Sequence, residues 1–320
     1  MEILRTVLTI VFIIVCLGLT VLVLMQEGKS AGLGAISGAA ETYWGKNKGR
    51  SMEGTLVKIT KYLAIAFIII PIIMIFYYGL TDADNNFTLM NLAEITTPEN
   101  LKALGLSLLL SFISTVICLI LAYPLAVILS NKSVNSSSFI VLIFILPMWM
   151  NFLLRTLAWQ TLLEKNGVIN AVLSFLHLPE LNIINTPYAI VLGMVYNFLP
   201  FMVLPIYNVL IKIDKDVINA ARDLGANAVQ VFTKVILPLS VPGIISGITM
   251  VFVPALTTFV ISDILGGSKI LLIGNVIEQE FTQSYNWHVG SGLSLVLMIF
   301  IIFSMALVSK YDKDGEGTAF

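Results

Sequence analysis

The sequence predicts an all-α, polytopic helical membrane protein with about seven transmembrane helices, and three observations support this. Of the 320 residues, 58% are hydrophobic and only 12% charged, and the mean hydropathy is +0.94, outside the range of a soluble domain of this length. Seven apolar stretches reach the roughly 20 residues that cross a bilayer: Ile3 to Met25, Tyr62 to Leu80, Leu104 to Leu129, Phe139 to Leu163, Ala189 to Ile211, Val241 to Ile261 and Val289 to Val308. These runs are continuous rather than alternating, so helices and not barrel strands satisfy the backbone in lipid.

Charge gives the orientation. With the polar segment after the fifth span placed in the cytoplasm, thirteen basic residues lie inside: Lys29, Lys46, Lys48, Arg50, Lys58, Lys61, Lys132, Lys212, Lys215, Arg222, Lys234, Lys310 and Lys313. Only Arg5, Lys102, Lys165 and Lys269 lie outside, with Arg155 within a span. The asymmetry predicts an amino terminus outside and a carboxyl terminus in the cytoplasm. A net charge of −1 offers no footprint for nucleic acid.

The first span is longer than a signal-peptide core and no close small-residue cleavage site follows, so it reads as a retained anchor. Cys16 and Cys118 fall within spans and read as small packing residues. The triplet Gly28, Lys29, Ser30 is not a phosphate loop, because the position for the motif's first glycine is Val23, inside a membrane helix. The sequons at Asn131 and Asn135 fall on the cytoplasmic side and carry no meaning there. After the first span the chain reads LMQEGKSAGLGAISG and then a basic run, YWGKNKGRSMEGTLVKITK. This stretch resembles the small two-helix accessory subunit, SecG, of the Sec protein-translocation channel, over about residues 1–60. The resemblance implies a truncated accessory subunit joined to a different protein, with its loop in the cytoplasm.

From Tyr62 the second span carries Pro71 and the Tyr77, Tyr78 pair, the latter interfacial anchors. The loop after it is acidic, with Asp82, Asp84, Glu94 and Glu99 against Lys102, and Glu164, Glu180, Glu278 and Glu280 follow on the same side. Such a face is solvated surface that also attracts cations over about 8–10 Å. Tyr123 and Pro124 interrupt the third span, and the fourth carries Trp149, Asn151, Arg155 and Trp159. A cation within a span costs at least about 2.5–3.5 kcal/mol unless paired or snorkelling, so Arg155 must face protein, water or the outer surface. The fifth span holds Tyr196, Asn197, Pro200 and Pro205, and Asp263 closes the sixth. Asp263 is expected to be an interfacial acid, a partner for Arg155, or part of a cation path. Trp149, Trp159, Tyr196 and Asp263 are the substrate-path candidates, since aromatic faces and a carboxylate suit an alkylammonium ion.

Between the fifth and sixth spans lies NAARDLGANAVQVFTKVILP, Asn219 to Pro238. Asp214 is placed to cap a first helix through Ala220, Ala221 and Leu224, and Gly225 to stop it in the left-handed region. Asn227 with Gln230 forms a capping box for a second helix, which Pro238 is expected to end, leaving Pro242 in the first turn of the next span. This stretch resembles the EAA loop of membrane subunits of ATP-binding-cassette importers. Together with INTPYAIVLGMVYNFLPFMVLPIYNVL and ISDILGGSKILLIGNVIEQEF, it makes residues 61 to about 310 resemble the permease subunit of the spermidine/putrescine importer.

The resemblance implies a six-helix permease fold plus one amino-terminal helix, in a bacterial cytoplasmic membrane. The domains are then 1–60, accessory-subunit-like, and 61–320, permease, with the coupling loop at 213–240. It further implies that Asn219, Ala220, Ala221, Asp223, Leu224, Gly225 and Pro238 meet an ATPase dimer. Asn219 stands where the family has a carboxylate, and Asp223, one turn later, is placed to supply the charge. The chain has no ATP-binding motif and reads as a non-catalytic subunit without cofactors, with ATP and magnesium held by the separate ATPase. A second related permease, an extracytoplasmic polyamine-binding protein and membrane lipid complete the implied partners. The alternative is an interaction protein of the Sec translocon whose permease half is inert; dependence of uptake on the ATPase discriminates the two.

Overall fold

The computed structural model describes residues 2–25, 52–130, 148–267 and 269–311. The first helix, α1 (Glu2–Met25), packs against α2 (Met52–Gly79). Phe12 stacks on Phe67 with ring centroids 5.5 Å apart, and Gly18 keeps the helices close enough that a Cβ there would lie 3.5 Å from Leu63. Pro71 falls inside α2, which runs on through it. A short helical turn at Met90–Ala93 follows. There Asn91 donates to the carbonyls of Gly79 (3.3 Å) and Thr81 (2.8 Å), satisfying groups that the end of α2 leaves open.

The centre of the molecule is α3 (Pro98–Ser130), α6 (Pro187–Leu210) and α9 (Leu237–Thr257), packed on one another. In lipid the hydrophobic effect does not drive helices together; close approach of small side chains does. On α3, Ser107, Ser111, Ser114, Cys118, Ala122 and Ala126 recur at three- or four-residue spacing and are all fully buried. On α9, Gly247 sits over Met202 of α6 so tightly that a Cβ would come within 2.7 Å of its sulfur. Both cysteines are free, and Cys118 belongs to this packing stripe.

Between these helices run α4 (Phe152–Leu163) and α5 (Val168–Phe175). The loop at 213–240 contributes α7 (Lys215–Asp223) and α8 (Ala228–Val231). After α9 come α10 (Val260–Gly266), α11 (Ile273–Thr282) and α12 (Trp287–Tyr311), the last packed along α2.

Among the described residues, six helices are long and apolar enough to cross a membrane: Thr6–Leu24, Thr55–Gly79, Pro98–Ser130, Pro187–Leu210, Ala228–Thr257 and Trp287–Ala306. The expected fourth span, Phe139 to Leu163, lies partly outside the described residues, and within them it is the 12-residue helix α4. The expected sixth span also differs. Its helix begins at Ala228, within the loop at 213–240, and ends at Thr257, with Thr258 extended (ψ 137°), before α10 starts afresh.

Candidate functional site

The loop at 213–240 is built by its own side chains. The Asp214 carboxylate accepts from the Asp216 backbone N–H at 2.9 Å and starts α7, with Asp216 in the first turn and Arg222 in the last, each at the favourable end of the helix dipole. The helix stops in a Schellman turn: Ala226 N–H donates to Ala221 O (3.0 Å) and Gly225 N–H to Arg222 O (2.8 Å). Gly225 takes φ +86°, and a Cβ added there would meet nothing within 4 Å. Asn227 and Gln230 then exchange capping-box hydrogen bonds of 2.8 and 2.9 Å.

No residue of α7 is buried. Asn219, Ala220, Asp223 and Leu224 are exposed and Ala221 half-buried, and Leu224 at the tip is 90% exposed. A capped helix with an uncovered leucine beside small alanines is shaped to enter a groove. Asn219 and Asp223 sit one turn apart on this surface, so the carboxylate at 223 is available to a partner.

Pro238 does not end the second helix. Residues Phe232–Ile236 form a π-helical turn that passes directly into α9, and Leu237 N–H donates to Phe232 O, five residues back. The cause is local: Pro238 lacks an N–H and its ring crowds the carbonyl four residues before it, so the ladder widens by one residue on its approach. Pro238 thereby falls in the first turn of α9, and Pro242 lies inside that helix rather than in its first turn.

At the opposite end of α9, Asn275 closes the break at Thr258. Fully buried, its Oδ1 accepts from Ser262 Oγ (2.6 Å) and Leu272 N–H (3.0 Å), while its Nδ2 donates to Phe259 O (3.1 Å) and Asp263 Oδ1 (2.7 Å). Asp263, beyond the span that ends at Thr257, titrates above the usual carboxylate range: partial burial raises it first, the Glu278 charge raises it further, and the Asn275 hydrogen bond opposes both. Of the alternatives for Asp263, the pairing with Arg155 is not formed. Arg155 is 8% exposed and its Nε has no hydrogen-bond partner among the described residues, while the charge acting on Asp263 is that of Glu278.

Two of the four substrate-path candidates come together. Trp159 of α4 and Tyr196 of α6 meet edge to face with centroids 5.2 Å apart. Trp149 is 77% exposed, and Asp263 turns its carboxylate to Asn275. Asn197, next to Tyr196, is 1% exposed, and its Oδ1 has no hydrogen-bond partner among the described residues. Asn275 was missed by sequence reading. Its signal was an amide embedded in the apolar run LLIGNVI, a position that demands internal partners.

The model of the preprotein translocase SecG subunit family matches residues 5–95, running past the basic run through α2 to the turn after it. The spermidine/putrescine transport system permease protein PotB of Haemophilus influenzae is 39% identical over 75% of this chain and 87% of its own. Its namesake in Escherichia coli is 36% identical over 76% and 91%. Among solved structures, a bacterial alginate ABC transporter in complex with a periplasmic protein bound to alginate pentasaccharide contains a chain of similar fold. The TM-score is 0.65 at 16% identity, covering 84% of this chain and 98% of that one.

Proposed function

The chain belongs to the spermidine/putrescine transport system permease family, and from that premise we propose that it carries polyamines across the bacterial cytoplasmic membrane as one of two related permeases. It is a non-catalytic membrane subunit of an ABC importer. The observation that carries the coupling part of this reading is the self-capped helix α7, which has no buried residue and is followed at once by the exposed Leu224. A rigid helix transmits displacement where a floppy loop would dissipate it. ATP binding closes a separate ATPase pair, moves α7 and rocks the bundle between inward- and outward-open states. For this to be coupling, the ATPase must bind ATP with different affinity in the two states. The coupling residues are Asn219, Ala220, Ala221, Asp223, Leu224 and Gly225, with Pro238 at the start of the membrane helix.

The Trp159–Tyr196 pair and Asp263 are proposed to line the polyamine path, offering aromatic faces and a carboxylate to alkylammonium groups. The amino terminus is proposed to lie outside and the loop and carboxyl terminus in the cytoplasm, which the distribution of basic residues supports. An extracytoplasmic binding protein delivers substrate. The test is spermidine or putrescine uptake into vesicles holding this chain, a second permease, the ATPase and the binding protein. Uptake that stops without the ATPase supports the reading, and uptake that persists without it refutes it.

A second reading is favoured by the SecG-family match and the packing of α1 on α2: the amino-terminal part contacts the Sec translocon. Crosslinks to that channel from Gln26 to Ala40, residues outside those described, are the expected result, and their absence counts against it.

A further inference from the structure

We propose that Tyr123 is the positioning residue that ties the coupling loop to the core of the bundle, by holding Phe232 at the start of the π-helical turn and Ser240 one turn beyond its end. The proposal rests on the reading of α7 as the helix an ATPase moves. Tyr123 lies one residue before Pro124, near the end of α3. Its ring meets Phe232, the first residue of the π turn, edge to face with centroids 5.8 Å apart. Its hydroxyl lies 2.8 Å from Ser240 Oγ, in the first turn of α9 beyond the π turn. Ser240 is fully buried and its own hydroxyl donates to Leu237 O at 2.9 Å. That uses the serine proton, so Tyr123 O–H is the donor to Ser240. One side chain from α3 therefore grips residues 232 and 240 across the widened register between them.

This placement has a mechanical meaning. A π turn holds one residue more than the α-helical ladder around it, which makes it the irregular point of an otherwise continuous helix. Left alone, it would absorb a push from α7, which packs against this turn. With Phe232 and Ser240 pinned to one ring on α3, the push is passed to α3, and through the small-residue stripe of α3 to α6.

The complete complex in proteoliposomes, with loaded binding protein, is assayed for polyamine uptake and ATP hydrolysis together. Tyr123→Phe keeps the ring and removes the hydroxyl, and Ser240→Ala removes its partner. Each is expected to lower uptake per ATP hydrolysed roughly two- to tenfold, the scale of one hydrogen bond. The double variant is expected to fall no further than either alone. A merely structural role would reduce the amount of assembled complex and leave the ratio untouched. A ratio equal to wild type in either assembled single variant, or losses that multiply in the double, overturns the proposal. If one single variant does not assemble, the ratio of the other decides alone. The wild-type control separates the two levels: uptake without the ATPase sinks the coupling reading itself, whereas ATP-driven uptake with an unchanged ratio in the variants sinks only the role of Tyr123.

Discussion

Gly225 separates backbone from side-chain effects in the coupling loop. Its φ of +86° lies in the left-handed region, while a Cβ there would meet nothing within 4 Å in this chain. Gly225→Ala therefore costs only the conformational term, about 1–2 kcal/mol for an L-residue held left-handed. That shifts the balance between the native turn and its alternatives roughly 5- to 30-fold, without any steric clash inside the subunit. Asparagine tolerates this region, and the chain itself places Asn85 at φ 66° and Asn185 at φ 60°. Gly225→Asn should thus retain most ATPase association, Gly225→Ala should lose a large part, and Gly225→Val, β-branched, should lose nearly all. Copurification of the ATPase with the detergent-solubilised permease pair, normalised to inserted subunit, measures the order. If Asn and Ala impair binding equally, the ATPase is sensing the added side chain and not the turn. If all three bind as wild type does, the left-handed stop is unnecessary and the lever argument fails.

Asn275→Ala strips Leu272 N–H and the Asp263 carboxylate of their partners; at about 1–3 kcal/mol per unsatisfied buried group, thermal unfolding of the purified subunit should fall by several degrees. Asp263→Asn should do the reverse at neutral pH. The folded-state pKa of Asp263 is raised, so its stabilising share is present below the unfolded value of about 3.9 and is lost as pH rises through the raised value. The variant's gain in melting temperature should accordingly be near zero at pH 4 and grow toward pH 7, and a gain independent of pH contradicts the assignment. Lost uptake in this better-folded variant would mark the carboxylate as part of the polyamine path, and unaffected uptake would remove it from that path. Phe12→Ala should weaken the docking of α1 on α2 by about 0.5–1.5 kcal/mol beyond lost area, read as a lower disulfide yield between Gly18→Cys and Leu63→Cys with polyamine uptake unchanged.

What sequence could reveal follows the range of the forces involved. Asp214, Gly225, Asn227 and Gln230 act within five residues of themselves, and each was found doing what its chemistry suggested. Pro238 was misjudged because a proline's ability to stop a helix depends on whether the ladder can widen before it, and here Phe232–Ile236 does so. The supposed Arg155–Asp263 pair rested on opposite charge alone, and the partner Asp263 takes is an amide twelve residues along the chain. The grip of Tyr123 on Ser240 spans 117 residues, beyond any local pattern. Trp159 and Tyr196 were named separately for their chemistry, and only folding placed them in contact.

The stacking of Phe12 on Phe67 also bears on how the molecule is made. The central helices depend on distant chain: Ser114 reaches Met194 and Cys118 reaches Val195, 80 and 77 residues on. α1, by contrast, packs against α2. During synthesis α1 and α2 can therefore pair in the bilayer while most of the core is still unmade, since the amino-terminal part of a chain is available first. This gives the nascent chain a settled pair of helices, and the permease core is added to it as the later helices emerge.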